Sequence, residues 1–189
     1  MGLNISNGGG EDFVPFIKYN AKAGRWYIKK DEKDIEVSNP TFVVDFDNIK
    51  TGWFLFETGI APSIVYDKDL ATPAAKPSDK HKRGFEVNVF SKASLDGVRV
   101  FSSTSGIVGA AINEIYDQYE KEKGANVGAL PVIQCSGVTP EVGKHGTNYK
   151  PNLSLLKWTP RPAEFDATAP AHAPQAAQAS IQSAVVSEF

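Results

Sequence analysis

Seven short runs of β-branched and aromatic residues precede any helical period in this chain: Phe13 to Tyr19, Arg25 to Lys29, Phe42 to Phe46, Trp53 to Glu57, Ile60 to Tyr66, Phe85 to Phe90 and Val98 to Phe101. Alternation is clear where Phe85, Val87 and Val89 face one way and Glu86 and Asn88 the other, and where Asp45 opposes Phe42, Val44 and Phe46. Such a pattern specifies half-buried antiparallel strands. Ala21 to Gly24 reads as a hairpin turn, and Ser94 to Gly97, with Asp96 and Gly97, as another.

One helix is predicted, from about Gly106 to Lys123. It carries a stripe of Val108, Ile112, Ile115 and Tyr119, Ser or Thr residues for its N-cap, and Gly124 as its stop. Two closing strands follow, Pro131 to Val138 and Asn152 to Trp158, around a Gly-rich loop, before Pro160 and Pro162 end the folded part. A five-stranded OB barrel carries its helix between its third and fourth strands, and Phe85 to Trp158 fit that order if earlier strands open the barrel. The expected fold is mainly β with one helix, an elaborated OB-fold-like antiparallel barrel plus a disordered C-terminal tail. The strand count permits another small α+β or β-sandwich domain equally well.

Residues 1–165 are expected to form this domain, with a flexible segment over 1–11. Residues 166–189 are rich in Ala, Pro and Gln, hold little that is large enough to bury, and end on Ser187, Glu188 and Phe189. Such a segment cannot recover the entropy cost of ordering. Asp166 and Glu188 are its only charged side chains and account for the formal net charge of −2, so the body is neutral. Any anion-binding role must therefore come from local clusters of Lys and Arg. The single cysteine, Cys135, permits no intrachain disulfide and fits a reducing compartment. No secretory leader and no run of about 18 apolar residues is visible, so a cytoplasmic protein with no membrane partner is expected.

The hairpin KYNAKAGRWYIKK interleaves Lys18, Lys22, Arg25, Lys29 and Lys30 with Tyr19, Trp26 and Tyr27. On a strand, Arg25, Tyr27 and Lys29 share one face and Trp26 and Ile28 the other. Cations flanking a ring at strand spacing suit a single strand of nucleic acid, whose bases stack while its phosphates are neutralised. An ordinary hairpin, with Trp26 and Ile28 in the core and the cations solvated, has the same sequence. Lys76, Lys80, His81, Lys82 and Arg83 cluster in the long stretch between Tyr66 and Gly84, a loop expected to be poorly ordered. Lys144, His145, Tyr149 and Lys150 form a third cluster in the late Gly-rich loop. If the clusters border one groove, the neutral body acquires a basic cleft; otherwise each is a solvated surface run.

Catalytic signals are thin. Asp45 and Asp47 in VVDFDN are candidate Mg²⁺ ligands of a nuclease, or the solvent face of a strand end. Cys135 would need His81 or His145 beside it to act as a nucleophile. The expectation is a protein that is not an enzyme and uses no cofactor.

The strand-rich body, basic and aromatic hairpin, low-complexity linker and terminal SEF together resemble single-stranded DNA-binding proteins of the bacteriophage type. The resemblance implies an OB fold that covers single-stranded DNA in replication or recombination, inside a bacterial host if phage-encoded. Glu188 and Phe189 would be a tip that docks replication or recombination proteins, and Trp26, Tyr27, Arg25 and Lys29 would lie near the binding face. The tip departs from that family's string of acidic residues by having one Glu. A phage or cellular assembly protein and a Mg²⁺-dependent nuclease remain the alternatives, and a homo-oligomer is left open.

Overall fold

The computed structural model describes residues 15–59, 61–144 and 146–167. The ten strands are β1 (Phe16–Asn20), β2 (Arg25–Lys30), β3 (Lys33–Val37), β4 (Thr41–Val44), β5 (Lys50–Leu55), β6 (Ser63–Tyr66), β7 (Lys82–Ser91), β8 (Gly97–Ser103), β9 (Ala129–Gly143) and β10 (Gly146–Pro160). Three α-helices accompany them among the described residues: α1 (Lys92–Leu95), α2 (Gly106–Glu122) and α3 (Glu164–Ala167). All strands belong to one curled sheet in the order β10-β9-β4-β7-β8-β1-β2-β3, with β5 branching from β7 and pairing β6.

The connectivity is that of an OB barrel. Strands β4, β7, β8, β9 and β10 serve as its first to fifth, lie in the order fifth-fourth-first-second-third, and carry α2 between the third and fourth. The N-terminal strands β1 to β3 fill the place where the third and fifth strands would meet. Strand β1 joins β8 in parallel, and the β1–β2 turn reaches β10, where Tyr149 N donates to Ala21 O at 2.7 Å. Tyr19 Oη donates to Tyr149 O at 2.8 Å, and Trp26 Nε1 donates to Cys135 Sγ on β9 at 3.2 Å. Gly24 makes this approach possible: its φ is +66°, and a Cβ there would sit 3.0 Å from Tyr149 Cβ.

Ile17, Trp26, Ile28, Phe42, Val87 and Phe101 fill the barrel from its strands. Helix α2 closes it with the expected stripe, Val108, Ile112, Ile115 and Tyr119, all buried. Each such side chain contributes roughly 1.5 to 3 kcal/mol of apolar burial. The chain does not end its packing at Pro162. Phe165 on α3 is buried against Val43, Val98, Leu130 and Val132 on the outer side of the sheet.

Three local expectations are corrected. Strand β3 was not visible as a strand because KDIEV is mostly charged, and it survives as an exposed edge paired only to β2. The late Gly-rich loop is in fact paired ribbon: Tyr149 lies opposite Pro140 and Lys150 opposite Thr139. The stretch after Tyr66 is tied down rather than loose. Trp53 Nε1 donates to Ala74 O at 2.8 Å, Ala74 N donates to Asp67 Oδ1 at 2.8 Å, and Arg83 clamps Asp67 at 2.8 and 2.6 Å.

Candidate nucleic-acid interface

Strand alternation divides the basic hairpin cleanly. Tyr19, Trp26 and Ile28 point into the core, while Lys18, Arg25 and Lys29 are exposed and Tyr27 is half-buried. Two candidate stacking rings are thereby corrected. Trp26 is 3% exposed and packs on Tyr19, Phe42 and Phe101. Tyr19 is held by its hydroxyl to Tyr149, and burial pushes its phenol up to about 12. Neither ring presents a face to a ligand.

The outward set continues across the sheet. Glu36 faces Tyr27 and Tyr27 faces Lys18. The pairing of Phe16 with Val100 and Ile17 with Phe101 sets Lys18 level with Ser102, and Ser102 faces Glu86, which faces Lys50. One row thus crosses β3, β2, β1, β8, β7 and β5, including the second and third barrel strands on which OB folds bind oligonucleotides.

At the β5 end stands an exposed ring that the local sequence does not single out. Phe56 is 51% exposed and stacks on buried Phe54 with centroids 5.9 Å apart. Tyr66 closes the group: its ring meets Phe54 edge-on, Lys50 Nζ lies 5.1 Å from its centroid, and its hydroxyl donates to Glu86 at 2.8 Å. Burial first, then the Glu86 carboxylate, raises the Tyr66 phenol above its ordinary value, so it stays a donor. Lys82 pairs across from Phe54 on the same face. The available signal was the placement of Phe54 and Phe56 two residues apart on one face, obscured because Trp53 and Leu55 are also apolar.

The β1–β2 turn, the start of β7 and Tyr149 of the late cluster come to one end of the barrel. Asn20, at the end of β1, lies level with Thr104 by the β1–β8 register. Arg83, the second residue of β7, lies two residues before Phe85, the partner of Ser103. The β1–β2 turn with Lys22 and the start of β7 therefore share an end, and Tyr149 touches that turn.

Many of the cations are already occupied. Arg25 pairs with Glu36 at 2.6 Å, Lys80 with Glu57 at 3.0 Å, Arg83 with Asp67, and Lys150 with Glu114 on α2. Lys18, Lys29, Lys82 and Lys144 have no ion pair among the described residues. His145, Glu188 and Phe189 lie outside the described residues.

The candidate chemical groups have structural partners. Asp45 is 1% exposed and receives both terminal nitrogens of Arg161, at 2.7 and 2.8 Å, and Asn48 Nδ2 at 3.0 Å. Asp47 accepts from the Tyr119 hydroxyl. Among the described residues no group of three or more His, Cys, Asp or Glu is arranged to hold a metal ion. His81 lies between Ser63 Oγ at 3.1 Å and Ser78 Oγ at 2.8 Å, whereas Cys135 is bonded to Trp26 inside the barrel.

No protein-family model, curated protein or solved structure matches this chain. No helix among the described residues is long and apolar enough to cross a membrane.

Proposed function

We propose that this protein binds and protects single-stranded DNA without strong sequence preference, in replication or recombination. One observation carries the reading: the outward row that sets Tyr27 and Lys18 on one flank of β8 and β7, and Lys50 with Tyr66 and Phe56 on the other. Rings on both flanks give bases a place to stack, and unpaired lysines beside them meet phosphates. Ser102 and Glu86 between them offer too few fixed donors and acceptors to read a base sequence. Sequence tolerance follows from that chemistry.

In this reading Glu188 and Phe189 form a tip that recruits replication or recombination proteins, at the end of a segment with no other charge after Asp166. No bond is made or broken in the bound strand, and no cofactor is required.

The test is fluorescence anisotropy of a labelled oligo-dT against a matched duplex, at two salt concentrations, with and without Mg²⁺. Salt-sensitive preference for the single strand, with the probe left intact, supports the reading. Equal affinity for duplex, Mg²⁺-dependent cleavage, or no binding at low salt overturns it.

A further inference from the structure

A second feature lies at the same rim, on the opposite side of β7 from the row. A cleft of about 390 Å³ opens between α2 and the strands β5, β7 and β8. Its walls are apolar and partly flat: Ile49, Phe85, Ile112 and Tyr116. Its helix side is open because Gly106 and Gly109 stand where side chains would fill it, and a Cβ added at either meets nothing within 4 Å. Neither glycine has the positive φ that would require one. Glycine in a helix costs about 1 kcal/mol relative to alanine, so Gly109 leaves room where local stability would favour a side chain.

The edges of the cleft are polar. Ser103, Ser105 and Asn113 line it. The Ser105 side chain does not cap the helix it precedes, and Ser103 Oγ, which accepts from Ser105 N, keeps its own proton to donate. Arg83 stands at the mouth, held in position by Asp67 and 42% exposed on its side chain. Apolar walls, hydroxyl and amide groups at the edges and a cation at the entrance complement a flat heterocycle attached to a phosphate backbone. A hydrocarbon chain would leave the polar edges unmatched, and a sugar would set hydroxyls against the apolar walls.

We propose that this cleft receives one nucleobase of the bound strand, turned in over the rim between Lys82, which faces the outer row, and Arg83, which faces the cleft. The inference rests on the single-stranded DNA reading and adds to it a subsite off the stacking face. The base enters between Phe85 and Tyr116, its edge meets Ser103, Ser105 and Asn113, and its phosphate stays at the mouth beside Lys82 and the exposed flank of Arg83. Leu70, 49% exposed on the loop side, lines the same cleft and covers the base from above.

The test fills the cleft from the helix. Gly109→Leu places a side chain in the open space, with Gly109→Ala as the control that leaves most of it free. Oligo-dT affinity is measured by anisotropy on the full chain, beside thermal melting. The expected result is a loss of about 5- to 150-fold for Gly109→Leu, that of one stacked base, with an unchanged or raised melting temperature and little change for Gly109→Ala. Should Gly109→Leu fail to fold, Gly106→Leu fills the cleft from its other glycine and is expected to give the same loss. Wild-type affinity in a folded filling variant overturns the subsite and leaves the coating reading intact. Absence of oligo-dT binding by the wild-type protein overturns both.

Discussion

Arg161 and Asp45, 116 residues apart in the chain, meet through two parallel hydrogen bonds of 2.7 and 2.8 Å. The pair joins the segment after the last strand to the end of the first barrel strand. Four residues later that segment inserts Phe165 into the outer cluster, with the Arg161 guanidinium 5.5 Å from its ring. The Asp45 carboxylate, by hydrogen bonding and charge, pushes the Arg161 guanidinium above its ordinary range. Arg161→Ala strands a carboxylate that is 1% exposed, and urea unfolding should show a loss of about 3 kcal/mol. Asp45→Asn should cost less, because a neutral amide leaves no buried charge. A loss under about 0.5 kcal/mol for Arg161→Ala, the level of an ordinary surface change, would mean that the pair does not hold this strap.

A second ion pair sets a pH dependence. The Arg83 guanidinium, aided by Thr51 and the Ala74 amide against the opposing effect of burial, holds the Asp67 carboxyl well below the usual carboxylate range. A depressed folded-state value means that the stabilisation is present above the unfolded value near 4 and is lost as pH falls below it. Asp67→Asn should cost about 1.5 to 3 kcal/mol at neutral pH. The gap between variant and wild type should narrow steadily from pH 5 to pH 2 in parallel chemical unfolding curves. A gap that stays constant over that range would count against the pair as its source.

The two neighbouring rings of β2 should separate stability from binding. Trp26→Ala empties a core position and should cost roughly 3 to 5 kcal/mol. Tyr27→Ala should leave the melting curve almost unchanged and weaken oligo-dT binding by about 1 to 3 kcal/mol. Paired melting and anisotropy measurements distinguish them. Reduced binding by a fully folded Trp26 variant, with Tyr27→Ala at wild-type affinity, would reverse the assignment.

That division was readable in the sequence, because Arg25 to Lys29 alternate and period two assigns their faces. The helix was equally readable, since Val108, Ile112, Ile115 and Tyr119 recur at helical spacing, and its position between strands pointed to the barrel order. What the chain did not disclose locally was long-range. Strand β3 exists because Ile35 and Val37 find Ile28 and Trp26 on β2, although Lys33, Asp34 and Glu36 make it look like a loop. Pro140, Gly143 and Gly146 are turn signals, yet the ladder between β9 and β10 continues through them. The stretch after Tyr66 is held by Trp53 and Arg83, whose roles emerge only once β5 and β7 are side by side. The exposure of Phe56 was hidden for a local reason, since Trp53 and Leu55 are apolar too and the face that it shares with Phe54 does not stand out.

Phe56 should act on the ligand rather than on the fold. Phe56→Ala removes a ring that is 51% exposed, so the melting temperature should change little, while oligo-dT affinity should fall by about 1 to 3 kcal/mol. Phe56→Trp should retain most of the binding. Equal affinity for Phe56→Ala and wild type would remove the β5–β6 hairpin from the interface.

The most direct test of the outward row is the salt dependence of oligo-dT affinity in a Lys18→Ala, Lys50→Ala double variant. These lysines stand on opposite flanks of β8 and β7 and can both meet phosphates only if the strand crosses the sheet between them. With about 0.7 lost from the slope of log affinity against log salt for each phosphate contact removed from a single strand, the double variant should be shallower than wild type by about 1.4 and bind more weakly at low salt. An unchanged slope and affinity in the folded double variant would contradict a strand lying along this row.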